Sequence, residues 1–257
     1  MKLKWIDTRL SNEEMNFLRD ACSVENKENY SKRLAGNISK SEQLCDKDNW
    51  FYETVLKKST ERLFYRNCSN YYEDYIEKEE SLPKFEIKSF WVNYQKQHEF
   101  NPIHDHSGLF SFVVFMKIPT NWKEQHALPF SARSNHPSAS DFAFVWSEKD
   151  SEICEHTSFQ LSPEDEGRML FFPAKLKHMV YPFYGTEEER VTISGNIFQI
   201  NDLNVENNII STKFDTDLGV NILEEKENIL KMMKNSVKSM EEELKQMKKE
   251  REKEGLN

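Results

Sequence analysis

Four residues in the middle of the chain have the types and spacing for metal-centred chemistry. His104 and His106 lie two apart in NPIHDHSG, His178 ends FFPAKLKH, and Arg190 opens RVTISGN. Imidazole is the commonest protein ligand for transition metals. Three ligands on one face leave open positions for a bidentate organic acid and for dioxygen. A guanidinium fork suits the far carboxylate of such an acid. On a strand, residues i and i+2 face one way and i+1 the other. His104 and His106 can therefore converge, and Asp105 points away unless the backbone is locally twisted or bulged. Among seven histidines, a second at i+2 is uncommon by accident. His98, His126, His136 and His156 read as ordinary polar groups. Arg190 also has a plain reading, as an ion-pair partner of the acidic run Glu187 to Glu189.

Such a constellation needs strands to hold it. Over residues 86–200 short β-branched and aromatic runs alternate with Gly, Pro and polar breaks, the pattern of a sandwich or barrel. The expected strands are IKSFWVNYQK, GLFSFVVFMKI, DFAFVWS, TSFQL, GRMLFFP, HMVYPFY and RVTISGNIFQ. If His178 starts one strand and Arg190 starts its hairpin partner, the two share a pocket. SARSNHPSAS, at 131–140, reads as a loop and as a candidate substrate lid.

Residues 1–85 read as a helical support region. Ser11 followed by Glu14 matches a capping box ahead of Phe17, Leu18 and Ala21. A second helix is expected in DKDNWFYETVLKKSTERLFYRNC, with Trp50, Val55, Leu56, Leu63 and Phe64 on one stripe. Residues 201–220 read as a linker. Residues 221–257 are charged and helical, and Leu230, Met233, Val237, Met240, Leu244 and Met247 alternate in spacings of three and four. That pattern suits either a coiled coil making a homo-oligomer through residues 223–247 or an amphipathic helix on its own domain.

Composition narrows the function class. The chain has 257 residues, 37% hydrophobic and 12% aromatic, which argues for a folded core. A net charge of −9 weighs against duplex nucleic acid as a partner, because a duplex-binding face wants a basic excess. Four scattered cysteines without a C-x-x-C pair suggest free thiols in a reducing compartment. No leader-like apolar segment opens MKLKWIDTRLSNEE, and no run approaches the ~20 apolar residues of a membrane span. The expectation is a cytoplasmic protein.

The stretches WVNYQ, NPIHDHSG, SFVVFMKIP and GRMLFFPAKLKHMVYPFYGTEEERVTISGN resemble the 2-oxoglutarate and iron(II)-dependent oxygenases. They look most like a subgroup of small members common in marine viruses and bacteria, and RLAGNISKSEQL is similar to a further segment of it. The resemblance spans roughly residues 30–200. It implies a double-stranded β-helix, or jelly roll, with helical additions. It implies iron(II) at His104 and His178, and 2-oxoglutarate held by Arg190 with help from Thr192 or Ser194. Tyr94 stands near where many members have a cosubstrate-binding tyrosine. This sequence departs at the carboxylate position, which is His106. Strand alternation favours His106 as the third ligand, and the usual two-histidine, one-carboxylate set favours Asp105. The implied activity is decarboxylation of 2-oxoglutarate with dioxygen, coupled to oxidation of a small molecule, peptide or protein side chain. Two other readings stand beside it: a cupin-like three-histidine jelly roll working without 2-oxoglutarate, and a non-enzymatic assembly protein acting through its C-terminal helix.

Overall fold

Phenylalanine and β-branched residues concentrate in the middle of the chain, and there the backbone is almost entirely strand. A computed structural model describes residues 4–25, 27–67, 84–147 and 153–200; the expected linker at 201–220 and the heptad helix at 221–257 lie outside the described residues. Eight strands make the core: β3 (Lys84–Gln95), β4 (Asn101–His104), β5 (Phe110–Lys117), β6 (Phe142–Ser147), β7 (Cys154–Phe159), β8 (Arg168–Pro173), β9 (Lys177–Val180) and β10 (Arg190–Ile200). They are divided between two sheets, ordered β8-β5-β10-β3 and β4-β9-β6-β7, and the chain changes sheet at every step except from β6 to its hairpin partner β7. All the pairings are antiparallel. This order is that of a jelly roll, two Greek keys folded face to face.

The sheets hold together through aromatic side chains. Phe115, Phe142, Phe144 and Phe172 pack with Val113, Leu161 and Leu170, all under a tenth exposed. Each fully buried ring contributes about 1.5–3 kcal/mol relative to exposure. Gly195 lets β10 sit tightly between its neighbours, since a Cβ there would lie 2.7 Å from both Phe112 Cε1 and the Ser89 carbonyl.

The N-terminal region is less helical than its sequence suggests. Two of its segments are strands, β1 (Ile6–Arg9) and β2 (Lys40–Gln43), which extend the larger sheet at its two edges. Each has only one buried residue, Ile6 and Ser41. Polar edge strands carry no alternation to read. Helix α1 (Asn12–Ser23) forms with its capping box: Glu14 N donates to Ser11 Oγ at 3.3 Å and Ser11 N to Glu14 Oε2 at 2.6 Å. Its Phe17 stacks on Trp50, with ring centroids 4.5 Å apart. A wide π-type turn over Tyr52–Leu56 leads into α2 (Lys57–Asn67). That turn shifts the register, so Phe51 and Tyr52 join Leu56, Leu63 and Phe64 in the core while Trp50 and Val55 are only half-buried. The Asp46 carboxylate caps this start, accepting from the amides of Phe51 and Tyr52.

Candidate metal centre and its pocket

β4 and β9 are paired so that His104 stands opposite His178. β4 ends at His104, and His106 follows two residues on, its amide donating to the Ala174 carbonyl at 2.8 Å. The three imidazoles converge, with one ligating nitrogen from each lying within 4.8 Å of the others. His106 Nε2 is 3.1 Å from His178 Nε2. His104 Nδ1 lies 2.7 Å from the Pro102 carbonyl and His178 Nδ1 3.1 Å from the Leu176 carbonyl. A carbonyl can only accept, so Nδ1 carries the proton in both rings. The Nε2 lone pairs are left facing the cluster.

Burial favours the ligating state. It pulls His106 down to about 3 and His178 well below the ordinary imidazole value, and the neighbouring imidazoles push the same way. His104 is lowered too, again by burial first. Three neutral imidazoles sharing one point are a donor set for a divalent transition metal. Phe142 and Phe172 pack against His178, at ring distances of 5.6 and 5.0 Å, and Trp91 against His106 at 5.7 Å. Asp105 points elsewhere, to Lys177 Nζ at 3.2 Å and Lys175 Nζ at 3.7 Å.

The histidines open into a cavity of about 260 Å³ that Arg190 also lines. Arg190 is fully buried at the start of β10. Its Nη2 donates to the carbonyl and the hydroxyl of Ser140, at 2.9 and 2.6 Å, and the guanidinium lies over the Phe183 ring at 5.0 Å. Among the described residues, Nε and Nη1 have no hydrogen-bond partner. Burial lowers its pKa to about 10, with Asp141 opposing the shift, so the side chain remains a cation at neutral pH. The acidic run does not pair with it: Glu188 holds Lys117 and Glu187 holds Gln97. A buried cation with unpaired donors is costly unless an anion completes it. The site therefore suits a carboxylate at Arg190 and a metal at the histidines.

Alternation along β10 places Thr192, Ser194 and Asn196 on the cavity face with Arg190. Directly opposite on β3 stand Gln95, Asn93, Trp91 and Ser89, which line the same cavity. Tyr94 has the other parity, and this corrects its expected role. It is not on the cavity wall; its ring sits under Lys40 Nζ at 4.2 Å, beside Cys22 and Glu42. Nearness in sequence to His104 suggested the role, but the pleat directs the side chain to the opposite face.

Several wall residues had escaped notice as site residues. Tyr30, Arg33, Leu34, Gly36 and Ile38 close one side of the cavity. Tyr30 stacks on Trp91 at 5.6 Å, and the Asn37 amide bonds the Phe100 carbonyl at 2.8 Å. All but Tyr30 lie in the RLAGNISKSEQL stretch, which was their signal. Trp91 Nε1 and Asn101 Oδ1, both from cavity-lining residues, are buried without a hydrogen-bond partner among the described residues. The 131–140 loop meets the site only through its end. Ser131, Ser134 and residues 136–139 line a separate shallow cavity with Tyr181, Pro182 and Tyr184, while Ser140 holds Arg190. His126, an ordinary polar group by its sequence, is buried and bonds the Asp141 carboxylate at 2.9 Å.

Residues 89–196 match a family model described as "Putative 2OG-Fe(II) oxygenase", a segment that contains all three histidines and Arg190. No curated protein matches the chain. Among solved structures it is similar to a viral collagen prolyl hydroxylase from Paramecium Bursaria Chlorella virus-1, in complex with 2OG. The identity is 14% over 76% of this chain and 96% of that one, with a TM-score of 0.42. It is also similar to a Pseudomonas putida prolyl-4-hydroxylase, at 13% identity over 77% and 93% of the two chains and a TM-score of 0.45. An oxidoreductase of the 2OG-Fe(II) oxygenase family from Burkholderia pseudomallei has 11% identity over 78% and 88%, with a TM-score of 0.43. The family match and the converging histidines lead to the same chemistry. Residues 89–196 belong to the 2-oxoglutarate- and iron(II)-dependent oxygenases, and the protein is an enzyme of that kind with iron(II) and 2-oxoglutarate as its cofactors.

Proposed function

We propose that His104, His106 and His178 hold the iron through their Nε2 atoms, and that Arg190 holds the distal carboxylate of 2-oxoglutarate. The observation that carries this is one cavity lined by three neutral imidazoles and by a buried guanidinium with unpaired donors. When bound, iron(II) with 2-oxoglutarate and dioxygen supplies an oxidant for a second substrate, and the cosubstrate leaves as succinate and carbon dioxide. The chain's part is to bind, orient and keep water out. Pro102 and Leu176 fix the imidazole tautomers through their carbonyls. Arg190 sets which end of the cosubstrate points to the metal, and Thr192 and Ser194 offer hydroxyls on the same face. Phe112, Phe115, Phe142 and Phe172 form a dry wall.

We place the second substrate's entry on the side lined by Arg33 and Gly36, because Arg33 is solvent-exposed there. The whole cavity, at about 260 Å³, falls near the small end of ligand pockets. It suits a small molecule or one side chain of a peptide or protein better than a bulky ligand. Three imidazoles alone would also serve a jelly roll working without 2-oxoglutarate; the Arg190 donors left without a partner among the described residues favour the cosubstrate reading. Residues 223–247 are proposed as an oligomerising helix, a role that coexists with catalysis; deleting 221–257 and measuring mass by sedimentation tests it. The cytoplasm is the proposed compartment.

The test is ferrous titration of the pure protein with 2-oxoglutarate under nitrogen, followed by admission of oxygen. A charge-transfer band and then succinate are expected. Metal binding with no effect of 2-oxoglutarate favours the three-histidine alternative. No metal binding at all rejects both.

A further inference from the structure

We infer that Ser140 is a positioning residue for the cosubstrate, tying the 131–140 loop to the Arg190 clamp. The inference rests on the proposed role of Arg190. Among the described residues, the only hydrogen-bond acceptors on that guanidinium are the carbonyl and hydroxyl of Ser140, both at Nη2. One residue delivers two acceptors to one nitrogen because its backbone is left-handed, with φ of 74°. A residue with a Cβ keeps such a conformation only where its surroundings over-determine it. Here they do. The Ser140 amide donates to the Pro182 carbonyl at 2.9 Å, the Asp141 amide to Ser138 at 3.1 Å, and the Tyr181 amide to Asp141 at 2.9 Å. The Asp141 carboxylate is fixed in turn by His126 at 2.9 Å. Thr120 Oγ1 lies 3.3 Å from the Ser140 hydroxyl.

The arrangement has a purpose that packing alone does not explain. Arginine has many rotamers, and ordering it at the moment of binding costs affinity. Ser140 holds one end of the guanidinium and leaves Nε and Nη1 open, so the clamp is aimed before a carboxylate arrives. Coupling of this kind is reciprocal. A carboxylate that steadies Arg190 also steadies Ser140, and through it the loop from Ser131 onward. The loop that resembled a substrate lid thus acts on the cosubstrate side of the site.

The test measures 2-oxoglutarate KM and kcat, together with amide hydrogen exchange of 131–141 in the ferrous protein under nitrogen with and without 2-oxoglutarate. Ser140→Gly keeps the carbonyl and accepts the positive φ but removes the hydroxyl. It is expected to raise KM about tenfold with kcat and iron affinity unchanged. Ser140→Ala, which also resists the left-handed backbone, is expected to raise it at least as far. In the wild type, 2-oxoglutarate should slow exchange across 131–141, and in Ser140→Gly that protection should shrink. A KM within twofold of wild type in both variants, or exchange indifferent to 2-oxoglutarate, overturns the inference while leaving the clamp intact. If Arg190→Met also leaves KM unchanged, the role of Arg190 itself fails.

Discussion

Replacing Arg190 by methionine separates binding from folding more cleanly than any other change in this site. The side chain is fully buried, and two of its three nitrogens lack partners. A hydrogen bond to a charged group contributes about 1.5–3 kcal/mol. Two such bonds to a carboxylate contribute at least about 3 kcal/mol together, or a factor of about 150 in affinity at 1.4 kcal/mol per decade. The effect on the free protein is the balance of two opposed terms: an apolar side chain of similar volume removes the desolvation cost of a buried charge, while the Ser140 carbonyl and hydroxyl lose their Nη2 donor. Asp141 loses its nearby cation, which offsets part of any gain. The expected result is therefore a Kd for 2-oxoglutarate raised at least about 150-fold with melting in the absence of ligand nearly unchanged. Calorimetry on the anaerobic ferrous protein gives the Kd. Melting gives a second reading, because ligand at 100 times Kd stabilises the wild type by about 2.7 kcal/mol. The methionine variant should lose that increment. Arg190→Lys, which keeps a charge but not the planar fork, should fall between. A methionine variant that binds within threefold of wild type removes Arg190 from the cosubstrate site.

Other consequences are open to simpler measurement. Tyr94→Phe should leave the KM for 2-oxoglutarate within twofold of wild type, since its ring lies under Lys40 and outside the cavity; a tenfold rise restores it to the site. Gly195→Ala should destabilise the fold by about 1–3 kcal/mol, because the new methyl meets Phe112 and the Ser89 carbonyl, and urea melts will measure it. The metal-free protein should lose stability as pH falls. His104, His106 and His178 have folded pKa values below 6.5, so the unfolded chain binds more protons below that pH. Stability is fully present above about 6.5 and declines below it, at up to about 1.4 kcal/mol per pH unit for each histidine that stays neutral. Melts between pH 5 and 8 check the slope, and His178→Ala should reduce it.

What was legible in the sequence followed side-chain parity. The i, i+2 pair gave His104 and His106 a common direction, and a strong aromatic core made the strands around them visible. Arg190, Thr192 and Ser194 follow the same rule on β10 and share one face. Tyr94, at the other parity on β3, turns to the opposite face and lies under Lys40. Elsewhere the signal itself was missing. Polar edge strands such as KSEQ bury one residue and leave no period. A wide turn at Tyr52–Leu56 displaced an otherwise regular stripe. Ser140 could not be singled out, because its role depends on a left-handed backbone and on an arginine fifty positions away.

Parity also bears on the most unusual feature of the centre. β4 ends at His104, so regular strand geometry does not by itself carry through to His106. What keeps the alternation is local: the His106 amide is tied to Ala174, and Asp105 is drawn outward between Lys175 and Lys177. Those lysines do more than hold a surface carboxylate. They satisfy the one nearby group that could otherwise turn inward and complete a two-histidine, one-carboxylate set. Neutralising both, as Lys175→Met with Lys177→Met, frees Asp105 to compete with His106. If the double variant binds iron with an unchanged spectrum and affinity, alternation alone holds His106 in place. If spectrum or affinity shifts, and Asp105→Asn in the same background reverses the shift, the lysine pair is what keeps the third ligand an imidazole.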